Sequence, residues 1–564
     1  MKLLLSAGAL GATALALFLL NPALASLAPG ALQEANGENT SGGVLLTEEA
    51  AYDVGHYDLT LELDPEERSI EGRLVMTATL LEETEAVVFD LDERLEIASI
   101  ELDGSAAEFT RGELQRVRVS AAGVEVGSEF RLAVAYGGKP RRAPNPPWRG
   151  GFSWSKTEAG EHWIVTSCQG EGADLWWPVK DHPSDEPDSM DLRFSVPESL
   201  VAVSNGTLMG IEPASREGYR VHHWHVSTPI NSYGVALNVA PYVRLEHEYE
   251  SVTGEAFPFY FWVLPESVEQ GKAILPEFAD HVRFHEEFLG PYPFRGDKYG
   301  VVETPHLGME HQSIIAYGNK FRGDPTFDYD WLHHHELSHE WWANLVTAQD
   351  WNDFWIHEGI GTYMQALYLE QRFGKEQYDR KMASDRRRIA SRGALAPRDP
   401  KATGWMYFGG SSSESPGGDI YFKGSWVCHS LRWLLGDEVF FQVLRRWAYP
   451  TEELEALTDG SACRNATTDE LLAIAEEVSG VDLDAFFEVY LRRAALPELV
   501  VERSGGSLSL HWNAEVPEFH MPVELEVEGE RRRVEVSTDP VRVELGEGRL
   551  VIDPDQWLLR AGSR

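Results

Sequence analysis

Cysteine is scarce in this chain: Cys168, Cys428 and Cys463 are the only three in 564 residues. Three thiols permit at most one disulfide, so no disulfide framework can carry the fold and it must rest on packed cores. Cys168 lies in a strand-like run and Cys428 in a helix-like one, which reads both as buried thiols. Positive charge is scarce too, with 49 Lys and Arg against 91 Asp and Glu and a formal net charge of −42. Such a surface repels a phosphate backbone, which excludes nucleic acid as a partner. A solvated acidic surface accounts for the charge, and attraction of cationic groups is a further use of it. Long apolar runs are missing after residue 25, so no internal segment is expected to cross a bilayer. The one such run lies at the start. Lys2, the apolar Leu3 to Leu20 and the small-residue site Ala23-Leu24-Ala25 read as a signal peptide over residues 1–25. A secreted or periplasmic protein follows, with membrane contact only if that segment stays uncleaved.

What is present points to several cores, because 564 residues exceed what one core holds. Residues 26–44, rich in Gly, Ala, Asn and Ser and without periodicity, read as a flexible leader. Residues 45–248 read as a β domain. Tyr57 to Leu63 and Leu74 to Leu80 alternate apolar and polar residues, with turn residues between. Residues 249–499 read as mainly helical. Val268 to Leu289 is one stretch, stopped by Gly290-Pro291, and others begin near Tyr421 and Leu471. Alternation returns over residues 500–564, in Val523 to Val527 and Val541 to Leu545.

The helical region carries the chemistry. In His335-Glu336-Leu337-Ser338-His339 two histidines lie four apart, one helical turn, so both imidazoles can reach one metal ion. Glu336 can face that metal without ligating it, where a general base belongs. His333 and His334 come just before, but Leu337 and Ser338 follow them at the same spacing and cannot serve as partners. After eighteen intervening residues comes Glu358, within a stretch from Trp355 to Leu369 that reads as a second helix. A third ligand there leaves a fourth position open, as catalytic zinc requires.

Trp341-Trp342-Ala343-Asn344-Leu345-Val346-Thr347 and Trp355-Ile356-His357-Glu358-Gly359 resemble the gluzincin zinc aminopeptidases, the family of alanyl aminopeptidase and leukotriene hydrolase. The resemblance runs from about Tyr52 to the C-terminus. It implies a multidomain α+β fold: a β-rich N-terminal saddle domain, a thermolysin-like, mostly helical catalytic domain and a small C-terminal β-sandwich. It also implies roles. Leu307-Gly308-Met309-Glu310-His311 resembles the family's Gly-Ala-Met-Glu-Asn, in which the glutamate grips the substrate's α-ammonium; Glu310 takes that role, beside Gly308 and Met309. A fixed carboxylate suits a group with a pKa near 8. Gln169-Gly170-Glu171 resembles the Gln-x-Glu segment that reaches the same amine, so Gln169 and Glu171 are expected there too. Tyr421-Phe422-Lys423-Gly424, sixty-three residues after Glu358, resembles the family's Tyr-x-Lys-Gly, whose tyrosine donates to the oxyanion. Trp341, Trp342, Trp351 and Trp355 are expected to pack around the ligands. Many relatives carry a further helical domain, and features drawn from it, such as closure over the substrate, are not carried over.

The resulting expectation is a zinc aminopeptidase acting on peptides with a free N-terminus. One Zn2+ is held by His335, His339 and Glu358, Glu336 is the base and Tyr421 the oxyanion donor. Three alternatives use the same parts: a zinc endopeptidase, a lipid epoxide hydrolase of the same fold and a catalytically inactive binding protein. Glu310 speaks against the first.

Overall fold

The computed structural model describes residues 41–408, 414–545 and 548–562. The expected signal segment, residues 1–25, and the leader up to residue 40 lie outside the described residues. Residues 41–44 do not behave as a flexible leader. Gly42 forms a bridge with Ala402, and the Gly43 amide donates to Asp350 Oδ1 at 2.8 Å. The Ser41 carbonyl accepts from the Thr403 amide at 3.1 Å. Gly42 has φ +77°, and the Trp351 indole occupies the space a Cβ would need. Its glycine therefore serves close packing rather than flexibility.

The N-terminal region is built on an eight-stranded sheet. Its strands run, in spatial order, Thr207–Pro213, Tyr219–Val226, Ser189–Pro197, Tyr52–Asp64, Ser69–Leu80, Glu129–Gly138, Leu95–Leu102 and Ser105–Ala106. Pairing is antiparallel except between Tyr52–Asp64 and Ser189–Pro197. The alternation seen in the sequence sets the faces: Leu59, Leu61 and Leu63 point into the core, while Thr60 is exposed. A four-stranded and a three-stranded sheet complete this region. Aromatic residues fill the space beneath, with Tyr57 edge-on to Trp177 at 5.0 Å between centroids.

The next region opens on a five-stranded sheet in the order Val243–His247, Phe259–Val263, Tyr299–Glu303, Ile315–Tyr317 and Gly308–Met309. The first of these strands precedes residue 248, where sequence composition put a domain boundary, yet it pairs with Phe259–Val263 and so extends this second sheet. Gly308–Met309 is one of the two edge strands, antiparallel to Ile315–Tyr317. Five helices then concern the site: α1 (Val268–Leu289), α2 (Trp331–Ser338), α3 (Trp355–Phe373), α4 (Thr403–Phe408) and α5 (Asp419–Leu435). α2 starts at Asp330, whose side chain caps the His333 amide at 3.0 Å. α1 and α3 stop at Gly290 and Gly374, both at positive φ. Trp341, Trp342, Trp351 and Trp355 are all buried around the helices.

Two three-stranded antiparallel sheets close the described chain. One holds Glu498–Ser504, Ser507–Asn513 and Val541–Glu544; the other holds Glu530–Val534, Val523–Val527 and Leu550–Ile552. Leu508, Leu510, Trp512, Phe519 and Leu525 share one apolar core with the helices. The three cysteines are free, Cys168 and Cys428 buried and Cys463 half-buried. Among the described residues, no helix is long and apolar enough to cross a membrane.

Candidate active site

α2 is short and ends just before His339, which sits at its C-cap. The backbone then kinks, with Trp342 at φ −108° and ψ 60°. The kink turns the Trp342 carbonyl back to receive His339 Nδ1 at 3.1 Å. That bond fixes the ring with Nε2 facing the site.

α3 brings Glu358 to the same point. The contact that places it is between glycines. A Cβ on Gly359 would lie 2.8 Å from the Gly424 Cα, and one on Gly424 would lie 2.7 Å from the Gly359 Cα. Only this pair lets α3 and α5 cross so closely, and the crossing carries Glu358 and Tyr421 into one site.

The donor atoms form a nearly regular triangle. His335 Nε2 lies 3.3 Å from Glu358 Oε2, His339 Nε2 lies 3.5 Å from it, and the two imidazole nitrogens are 3.4 Å apart. Ligands at about 2.0–2.1 Å from a tetrahedral zinc are separated by about 3.3–3.4 Å, so the set fits that ion. Its chemistry fits as well. Glu358 Oε2 is buried and accepts no well-formed hydrogen bond; burial lowers the pKa of His335, whereas for His339 burial is outweighed by Glu310 and Glu358, which raise it to about 10. For Glu358, burial opposes ionisation, but His335 and His339 outweigh it and hold the carboxyl well below the usual range.

Glu336 also lies beside His339. Its carboxylate, that of Glu310 and the His339 ring have donor atoms within 4.8 Å of one another. Burial pushes the Glu336 carboxyl well up, and the neighbouring Glu310 adds to the shift. Gly308 makes room for this group, because a Cβ there would fall on the Glu336 carboxylate.

The two glutamates expected at the amine differ sharply in their surroundings. Glu310 is buried, and its Oε1 accepts from Gln169 Nε2 and, at 3.1 Å, from the Tyr233 hydroxyl. Both donors are neutral, and no Lys or Arg pairs with Glu310 among the described residues. Burial raises its carboxyl to about 7. Glu171 points elsewhere. Its Oε1 accepts from Arg141 at 2.9 Å and Arg149 at 3.2 Å, and its Oε2 accepts from the Gly150 amide at 2.6 Å. Its charge is already matched, so the structure brings Gln169 to Glu310 and turns Glu171 to the arginines. Met309 is buried on the edge strand beside Glu310.

Three contributors were given no role by the sequence. Tyr233 is one. Asn344 is another: its Nδ2 holds the Glu310 carbonyl at 3.0 Å, while Asn231 holds Asn344 Oδ1 at 3.0 Å. The third is Tyr407 on α4, whose hydroxyl lies 2.8 Å from that of Tyr421, 3.0 Å from Glu358 Oε1 and 3.1 Å from Gln169 Oε1.

Comparison with known proteins agrees with this architecture. Residues 54–233 match the peptidase M1 N-terminal domain, and residues 284–490 match the peptidase family M1 domain. Aminopeptidase M1-D of Oryza sativa subsp. japonica is 25% identical over 378 residues, which cover 64% of this chain and 41% of that protein. Aminopeptidase N of Homo sapiens is 25% identical over 315 residues, 51% of this chain and 31% of that protein. The chain thus spans well under half the length of these curated relatives. Among solved structures, the M1 zinc metallopeptidase from Deinococcus radiodurans superposes with a TM-score of 0.63 at 23% identity, over 79% of this chain and 95% of that one. A mutant of that protein bound to a Tyr-Ser-Ala substrate gives a TM-score of 0.63 at 23% identity, over 79% of this chain and 96% of that one. At this identity the likeness is one of fold.

Proposed function

The chain belongs to peptidase family M1, and from that premise we propose that it is a zinc aminopeptidase, removing the first residue from peptides with a free N-terminus. The observation that carries the reading is Glu310: a buried carboxylate that accepts from two neutral donors, with no Lys or Arg paired to it among the described residues. A carboxylate desolvated in this way is costly unless a cation arrives, and a peptide's α-ammonium is such a cation.

Zinc, when held by His335, His339 and Glu358, supplies Lewis acidity that polarises the scissile carbonyl and lowers the pKa of a water. Glu336 takes the proton of the attacking water and passes it to the leaving amine. Tyr421 donates its hydroxyl hydrogen to the carbonyl oxygen as negative charge develops there. Glu310 anchors the ammonium, Gln169 holds one Glu310 oxygen in place, and one residue then fits before the scissile bond.

The test compares a free peptide with its N-acetylated form. Removing the ammonium leaves Glu310 unpaired, so acetylation should reduce hydrolysis by about two orders of magnitude or more, at roughly 1.4 kcal/mol per tenfold. Glu310→Ala should slow the free peptide and shrink the acetylation penalty. Equal cleavage of both peptides by the wild type, or internal cleavage by mass, would turn the assignment to a zinc endopeptidase. Residues 1–25 are proposed to direct export and to be removed after Ala25. N-terminal sequencing of the exported protein should begin at Ser26, and recovery of the full-length chain only in membranes would refute cleavage.

A further inference from the structure

We infer that Tyr407 is a positioning residue that sets the hydroxyl of Tyr421; the inference rests on the aminopeptidase reading and extends it. A phenol has one hydrogen to give, and the Tyr407 hydroxyl faces two acceptors that cannot donate: Glu358 Oε1 at 3.0 Å and Gln169 Oε1 at 3.1 Å. The carboxylate is the stronger acceptor, so the hydrogen goes to Glu358. The third neighbour is the Tyr421 hydroxyl at 2.8 Å. With Tyr407's hydrogen on Glu358, the Tyr407 oxygen is left to accept from Tyr421, whose hydroxyl also lies within hydrogen-bond reach of Glu358. The resting site therefore holds Tyr421's hydrogen on one side, towards Tyr407 and Glu358. A developing oxyanion draws it away by a small rotation, with no covalent change. Glu358 is thereby tied through Tyr407 to the group that completes the oxyanion site.

Tyr407 is itself held from two sides. Its ring packs edge-on against Phe354, with centroids 5.0 Å apart and planes at 83°, and Phe354 directly precedes α3. The helix that carries it, α4, has its Thr403 amide bound to the Ser41 carbonyl at 3.1 Å. A hydroxyl with several hydrogen-bond neighbours on a doubly supported ring is placed to position another group. The Gln169 contact extends the same link to the amine anchor, since Gln169 Nε2 donates to Glu310.

The test is a double-substitution cycle on the zinc-loaded protein: wild type, Tyr407→Phe, Tyr421→Phe and both together. One readout is kcat on an aminoacyl chromogenic amide. A second, independent of turnover, is the calorimetric affinity for a phosphinic dipeptide, a stable tetrahedral anion. Zinc content and melting temperature are recorded for each protein. Tyr407→Phe should lower kcat by about tenfold or more with KM changed less than about threefold, the loss of one hydrogen bond to an ionic network. In the Tyr421→Phe background the same change should cost less than about threefold, and phosphinic affinity should show the same non-additivity. Zinc should remain at one per chain. Equal losses in both backgrounds, wild-type behaviour of Tyr407→Phe, or loss of zinc or fold in that variant would each overturn the positioning role. Wild-type turnover with additive losses refutes this role alone, whereas absence of wild-type turnover refutes the functional reading beneath it.

Discussion

On the proposed mechanism, replacing Gly308 by Ala should separate the proton carrier from the metal. Gly308 is not at positive φ, so alanine suits its backbone. The added methyl group is the difficulty. It would fall on the Glu336 carboxylate, 2.9 Å from its Cδ, and lie 2.7 Å from Leu332 Cδ1. Carbon atoms rest about 3.5–4.0 Å apart, so the carboxylate must retreat by roughly 1 Å. A displacement of that size at a reacting group costs about 10²-fold in rate, and overpacking of this kind costs about 1–3 kcal/mol of stability. Gly308→Ala should therefore fold, melt a few degrees lower and bind one zinc per chain, with kcat down about 10²-fold and KM little changed. The assay pairs turnover of an aminoacyl amide with metal analysis. Added to Glu336→Gln, which already lacks the proposed base, the same change should cost little more. Turnover within threefold of the wild type would refute the steric argument. Zinc loss in step with activity would show that the strain falls on His335 instead.

Other consequences follow from particular side chains. Glu171→Ala removes the carboxylate that Arg141 and Arg149 share and should cost roughly 2 kcal/mol of stability, less than for a fully buried pair because both arginines are partly exposed; its turnover per folded molecule should fall far less than that of Gln169→Ala, and a kinetic defect as large would return Glu171 to the amine. Burial holds the imidazoles of His222 and His306 down to about 4. Their folded pKa lies below the ordinary 6.5, so between pH 4 and 6.5 the unfolded chain binds more protons. Stability should be intact above pH 6.5 and fall as pH drops towards 4. His222→Leu should make that slope shallower in thermal melts, and an unchanged slope would clear His222. Deleting the chain through Val44 removes the Ser41 and Gly43 contacts at α4 and Asp350. It should lower kcat by roughly 3- to 10-fold through loosened positioning, and unaltered kinetics would show that α4 needs no such support.

The sequence was most legible where the determinants are local. α1 falls at Val268–Leu289, where periodicity and Gly290-Pro291 put it, because amphipathic spacing and stop residues act within a few turns. The strands Tyr299–Glu303 and Ile315–Tyr317 gave no such signal. They are buried, so they lack the alternation of a half-exposed strand. In the site, spacing alone proposed the ligand set, but not what assembles it. Gly359 and Gly424 each stood at the end of a motif, yet nothing local says that each is the surface the other packs against. Tyr407 belongs to no motif; its partners Gln169, Glu358 and Tyr421 are 238, 49 and 14 residues away and meet only in the fold.

Glu171 and Glu310 show the same limit in electrostatic form. Both are buried glutamates, and both could have faced an ammonium. What separates them is Arg141 and Arg149, which lie 30 and 22 residues before Glu171 and fold onto it. Among the described residues Glu310 accepts from an amide and a phenol, and no Lys or Arg pairs with it. Hydrogen bonds from neutral donors orient a carboxylate but leave its charge uncompensated in a poorly solvated place. A substrate that brings a cation restores the balance, and one that does not inherits the cost. Selection for a free N-terminus would then rest on the lack of a paired Lys or Arg at Glu310 more than on the shape of a pocket. An arginine placed within reach of Glu310 should weaken that selection even with every metal ligand intact.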